Sequence, residues 1–130
     1  MRALLPPGWP RPKGYSNGIT ATGRTIYTAG VVGWDEQEHF TSNTLPGQFE
    51  QVLTNIVAIL AEDRAKPGHL VRLTCYVTSI DAYLASLAEI GEAWQRIIGP
   101  HYPAMALVEV VRLVEPQAMV EIEATAVVEE

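Results

Sequence analysis

The chain has 130 residues, 48% of them hydrophobic and 18% charged, and 9 Lys and Arg stand against 15 Asp and Glu for a formal charge of −6. That length holds one domain with a substantial core, and the composition excludes wholesale disorder. The acidic balance argues against nucleic acid or an anionic membrane as partner, and no apolar run reaches the roughly 18 residues that a membrane-spanning helix needs.

Residues 1–14 carry Pro6, Pro7, Pro10 and Pro12 with Gly8 and Gly14, which predicts an irregular arm ahead of a single domain over 15–130. Its Trp9 needs cover from that domain. The first residues lack the longer apolar segment of a secretory signal, so a cytoplasmic location is expected.

Residues 15–22 and 24–29 favour strands, and Gly23 between them predicts a hairpin. Gly30 and Gly33 bracket Val31 and Val32 ahead of a polar loop that starts at Trp34. Glycines there mark either a strand end or a close backbone approach to a ligand, with Trp34 or the Gly30 amide facing it.

Phe49, Val52, Leu53, Ile56, Val57 and Leu60 recur at helical spacing, predicting a helix over 44–63 capped by Asn43 or Thr44. Residues 70–78 form a strand. A second helix, capped by Ser79, is expected over 79–98, burying Tyr83, Leu87, Ile90 and Trp94, and Gly99-Pro100 ends it.

Two strands close the chain, over 104–113 and 119–128. In the last, Val120, Ile122, Ala124, Ala126 and Val128 alternate with Met119, Glu121, Glu123, Thr125 and Val127. In the one before it, Met105, Leu107, Glu109, Val111 and Leu113 share a side. The two strands are expected to be neighbours that share a face mixing carboxylates with large apolar groups. Two helices cover only one sheet face, so that mixed face is expected to be closed by another subunit. Arg72 and Arg112 are candidate partners for its glutamates.

Cys75 is the only cysteine, so an internal disulfide is impossible, and its apolar surroundings suggest a small core residue. His39, His69 and His101 have no metal-ligand spacing, and no metal site is expected.

The run Pro103-Ala104 to Val108-Glu109-Val110-x-Arg112-Leu113, followed by Val120-Glu121-Ile122-Glu123-Ala124-x-Ala126-Val127, resembles the C-terminal signature of the RidA/YjgF family of enamine/imine deaminases. The likeness extends back through 71–77 and the Asn55-Ile56-x-x-Ile59-Leu60 helix to Thr28-Ala29-Gly30. It implies a chorismate-mutase-like α+β subunit of order β-β-α-β-α-β-β, with two helices on one sheet face. Such subunits form homotrimers with small-molecule clefts at their interfaces. It also implies hydrolysis of enamines or imines to carbonyl compounds and ammonia without metal or cofactor.

Position by position, the family's cleft tyrosine matches Tyr15, its glycine amide Gly30 and its water-handling glutamate Glu121. The arginine that grips the substrate carboxylate falls on Met105, the cleft asparagine on Ala88, the small or cysteine position on Leu107, and the serine before the glycine on Ala29. Apart from the resemblance, Met105 reads as an ordinary core or interface methionine, Tyr15 as strand packing, and Glu121 with Glu123 as structural carboxylates. The resemblance therefore leaves three readings open, a deaminase for an atypical substrate, a non-catalytic binding or sensing trimer, and an interaction or chaperone-like protein.

Overall fold

The structure, a computed structural model, describes residues 1–130. Thr44 opens the first helix, α1 (Leu45–Ala61), its hydroxyl accepting the Gly47 amide at 3.2 Å, with Pro46 in the first turn where no amide partner is needed. Of the face predicted from spacing, Phe49, Val52, Leu53, Ile56 and Leu60 are buried and Val57 is half-buried. Each of the buried side chains contributes roughly 1.5–3 kcal/mol by leaving water.

The strands are β1 (Arg2–Ala3), β2 (Ile19–Thr20), β3 (Arg24–Tyr27), β4 (Val31–Val32), β5 (Leu70–Val77), β6 (Ala104–Glu109) and β7 (Val120–Val128). The main sheet runs β3-β7-β5-β6, and β4 also pairs with β7. All its pairings are antiparallel except β5 with β6, which the helical crossover makes parallel. Leu73, Cys75, Val77, Val120, Ile122, Ala124 and Ala126 turn toward the helices and are buried with α1. Burial also pushes the Cys75 thiol up to about 12, leaving it a neutral core residue.

Several expectations change. The hairpin at Gly23 does not form: β2 pairs with β1 instead, and β3 takes four residues of β7 as partner. The arm is thus partly ordered, with the Leu4 amide donating to the Gly18 carbonyl at 2.9 Å. Trp9 stays 59% exposed rather than covered.

The second helix breaks in two, α2 (Ile80–Ala85) and α3 (Leu87–Ile97). At the break Ser86 leaves helical geometry with ψ 13° while its hydroxyl donates to the Ala82 carbonyl at 2.8 Å, a local bond that competes with the helical ladder.

The strand over 104–113 ends at Glu109. Its neighbour β5 stops at Val77 to let Ser79 cap α2, so Val110 closes the ladder on the Val77 carbonyl and Val111 stands 98% exposed.

Most consequentially, β6 and β7 are not neighbours, because β5 lies between them. Met105 is in register with Leu73 and Leu107 with Cys75, so both face the helices. Glu121 and Glu123 face the other way, opposite Tyr76 and Thr74. The shared mixed face is therefore replaced by two separate surfaces. Neither Arg72 nor Arg112 forms an ion pair with those glutamates.

One polar side chain holds the core's end together. Gln48 is 1% exposed, its amide nitrogen donates to the carbonyls of Ser42 (3.1 Å) and Gln117 (2.9 Å), and its oxygen accepts the Met119 amide (2.7 Å). These bonds tie the loop before α1 to the entry of β7. No helix is long and apolar enough to cross a membrane.

Candidate functional site

The helix-facing side of β6 opens into a groove of about 400 Å³ at the sheet's edge. Met105 and Leu107 form its floor, Phe49 of α1 and Tyr83 of α2 its inner wall, and Leu87, Ile90 and Trp94 of α3 its roof. The groove exists because β6 is an edge strand whose inward side chains extend past the cover of α1. The break at Ser86 separates the stretch that presents Tyr83 from the one that presents Leu87 and Ile90. Burial raises the Tyr83 phenol above its ordinary range, so its hydroxyl stays a neutral donor.

Tyr15 sits at the rim, 42% exposed. It is held there by its neighbour Ser16, whose amide donates to the Pro103 carbonyl at 3.0 Å and whose hydroxyl donates to the Tyr102 carbonyl. Ser16 also bridges in parallel to Ala104, extending the sheet one step past β6. Trp94 stacks on Tyr102 with ring centres 6.1 Å apart, and its indole N–H donates to the His101 carbonyl at 3.1 Å. His101 itself is tied up, with Nε2 against the Leu70 carbonyl at 2.7 Å.

A second constellation lies on the opposite side of the sheet. Glu121 stands in register with Val32 and Tyr76, half-buried, and its carboxylate makes no hydrogen bond or ion pair within the chain. It rests on Gly30 so closely that a Cβ there would overlap its Oε2 atom. Glycine at position 30 is thus a requirement of the approach between strand end and carboxylate. Glu123 differs: it accepts the Tyr76 hydroxyl at 2.9 Å, a bond that raises the Tyr76 phenol. Glu109 accepts the Ile80 amide at 3.0 Å at the start of α2.

The residues singled out from sequence therefore divide into two groups. Tyr15, Met105 and Leu107 meet in the groove, and Gly30 meets Glu121 across the sheet. Ala88 is exposed on α3 beside the lining residue Leu87 and is not itself part of the groove wall. Trp34 lies with the second group's strand, its ring tilted against Phe40 at 5.8 Å and its carbonyl accepting Asn55 Nδ2 at 2.7 Å. Asn55 also donates to the Val32 carbonyl at 3.1 Å, which fixes the end of β4 on α1.

Of the aromatic lining, Phe49, Tyr83 and Trp94 were read from sequence only as core, and Tyr102 was given no reading. The signal that could have found it is the spacing of Tyr83, Leu87, Ile90 and Trp94 on the face that covers an edge strand. No three His, Cys, Asp or Glu side chains are gathered to hold a metal ion.

The chain is thus an α+β domain with an edge groove on one sheet face and a free glutamate over a glycine on the other. The family model described as Endoribonuclease L-PSP matches residues 10–128. A RutC family protein from Pyrococcus abyssi is 30% identical over 118 residues, covering 90% of this chain and 89% of that one. Among solved structures, the Rid-family protein YyfB from Yersinia pestis, itself of unknown function, superposes with a TM-score of 0.84 at 31% identity over 98% of both chains. RidA from an Antarctic Psychrobacter superposes with a TM-score of 0.70 at 26% identity, covering 98% of this chain and 100% of that one. The chain belongs to the RidA/YjgF family.

Proposed function

We propose that this protein hydrolyses an enamine or imine with a bulky, apolar carbon skeleton to a carbonyl compound and ammonia, in clefts between the subunits of a homotrimer. The observation that carries the reading is the separation of the two constellations. The groove at Met105 and the carboxylate at Glu121 lie on opposite sheet faces of one chain. A neighbouring copy whose Glu121 face covers the mouth of the groove would bring them together.

In that cleft Glu121 serves as general base. It takes a proton from water as the oxygen adds to the imine carbon, and the imine nitrogen gains a proton. The resulting carbinolamine loses ammonia as its C–N bond breaks and the C=O bond forms, so one imine and one water give one carbonyl compound and one ammonia. No redox step is involved, and the reaction requires neither metal nor cofactor.

Met105 sets the substrate. Where the family resemblance places a carboxylate-gripping arginine, methionine offers no donor, and its thioether joins an apolar, aromatic wall that suits a large side chain. A small 2-imino acid such as 2-iminopropionate leaves that wall unfilled. Imines generated in situ by an amino-acid oxidase test this directly. Keto-acid release from the phenylalanine-derived imine should be accelerated severalfold more than release from the alanine-derived one, and the reverse order would contradict the assignment.

A second reading, a non-catalytic binding or sensing trimer, is favoured by the same missing donor. Turnover by the wild type that Glu121→Gln abolishes supports the first reading, whereas ligand binding by the wild type with no turnover supports the second. RNA cleavage, suggested by the descriptive name of the family model, is disfavoured by the formal charge of −6.

A further inference from the structure

We infer that Lys13, carried on the N-terminal arm, is the anion anchor of the groove, so that its ligand joins an apolar body to a carboxylate held at the arm. The inference deepens the reading above and rests on it. Of the thirteen residues lining the groove, Lys13 is the only charged one. In a chain with 15 acidic residues against 9 basic ones, the wall this chain supplies to the cleft holds a cation and no carboxylate of its own, which suits it to an anion.

Lys13 is also uncommitted. The chain's ion pairs join the N-terminal amine to Glu129, Arg24 to Asp63 and Glu130, and Arg96 to Glu50. A second groove of about 430 Å³ meets the first at Tyr15 and Tyr102, and it too has a free cation, Arg11, and no carboxylate in its lining. The arm thus presents basic side chains to both cavities while the rest of the acidic surface lies elsewhere.

The arm is held in position, which a specific anchor requires. The Ser16 amide bond to Pro103 and the Leu4 amide bond to Gly18 fix it on either side of Lys13. A lysine is suited to this place because its long flexible stem carries a compact charge into the mouth of a cleft from outside. In the same groove the Gln95 amide donates to the Tyr102 hydroxyl, which leaves the phenol proton free to donate to a bound anion. The apolar end, Phe49, Tyr83, Leu87, Ile90, Met105 and Leu107, receives the body of the ligand. The cation is therefore displaced from the floor of the groove, where Met105 lies, to its rim. That displacement lengthens the distance between the anion and the apolar end, and selects a larger substrate than a floor arginine does.

Isothermal titration calorimetry with phenylpyruvate and its uncharged methyl ester tests this on the wild type and on Lys13→Met and Lys13→Arg. The acid should bind the wild type about five- to tenfold more tightly than the ester, as expected for a partly solvated ion pair joined by a hydrogen bond. Lys13→Met should erase that gap and Lys13→Arg should keep it. Equal binding of acid and ester by the wild type, or a gap that survives Lys13→Met, would overturn the anchor while leaving the groove as the ligand site. Binding of neither compound would overturn the groove reading itself, and the anchor with it.

Discussion

Met105→Arg should raise kcat/KM for 2-iminopropionate by roughly 10- to 100-fold. The arithmetic follows from the roughly 1.5–3 kcal/mol that a hydrogen bond to a charged group contributes, with a bidentate guanidinium at the upper end. The position is suitable for the experiment. Met105 is only partly buried, and it lies on the floor of a 400 Å³ groove with room for the longer side chain. The wall this chain supplies to the groove contains no carboxylate that would capture the new guanidinium, which leaves the neighbouring copy's Glu121 as the one acidic group across the cleft. Tyr102 and Trp94 offer aromatic faces against which it can lie when the site is empty. A gain in turnover shows that Glu121 and the cleft are already competent and that substrate choice alone has shifted. If Met105→Arg binds 2-iminopropionate more tightly with no turnover, the binding or sensing reading replaces the enzymatic one.

Trp94→Ala should cost about 3–5 kcal/mol of stability, the usual range for removing a large aromatic from a core. For a domain of this size that is a fall in Tm of roughly 10 °C or more. Trp94 is 6% exposed, packs in the main core cluster, stacks on Tyr102 and satisfies the His101 carbonyl. It does this while forming part of the groove's roof, so fold and site share one side chain. Trp94→Phe keeps most of the packing and loses the donor, and should cost about 1–2 kcal/mol. Thermal unfolding followed by circular dichroism distinguishes them. A shift below about 2 °C for Trp94→Ala would mean that the ring is not part of the cooperative core.

The helix α1 was legible in sequence because two independent signals agreed, the spacing and a cap at Asn43 or Thr44, of which Thr44 is the one that forms. The buried face of β7 was equally legible, since only one of its two alternating sets is wholly apolar. Strand β6 was not. Ala104, Ala106 and Val108 on one side are all apolar while Met105 and Leu107 share the other with Glu109, so alternation favours the wrong set as the one that faces the helices. Its orientation is decided by the parallel pairing with β5, and neighbour relations between strands are a tertiary property that no single strand's pattern records. The same gap concealed the division of the site. Residue matching by resemblance placed Met105 and Glu121 in one cleft without revealing that one chain holds them on opposite faces. The kink at Ser86 and the return of the arm through Ser16 to Pro103 depend on individual hydrogen bonds between distant or competing groups. They give Leu87, Tyr15 and Lys13 their places at the groove.

The expectation of an uncovered apolar face also needs a different basis. Met105, Leu107 and Met119 pack toward the core instead, leaving Tyr27 at 76% exposure and Val108 at 45% among the large apolar groups still open to solvent. The stronger argument for association is now chemical. A carboxylate without a partner and a groove without a base are complementary only between copies.

Light scattering coupled to size-exclusion chromatography, on the purified wild-type chain at micromolar concentration, tests that claim most directly. The account predicts a single species of three times the chain mass. A monomer at that concentration, still able to bind an aryl keto acid in its groove, would contradict it.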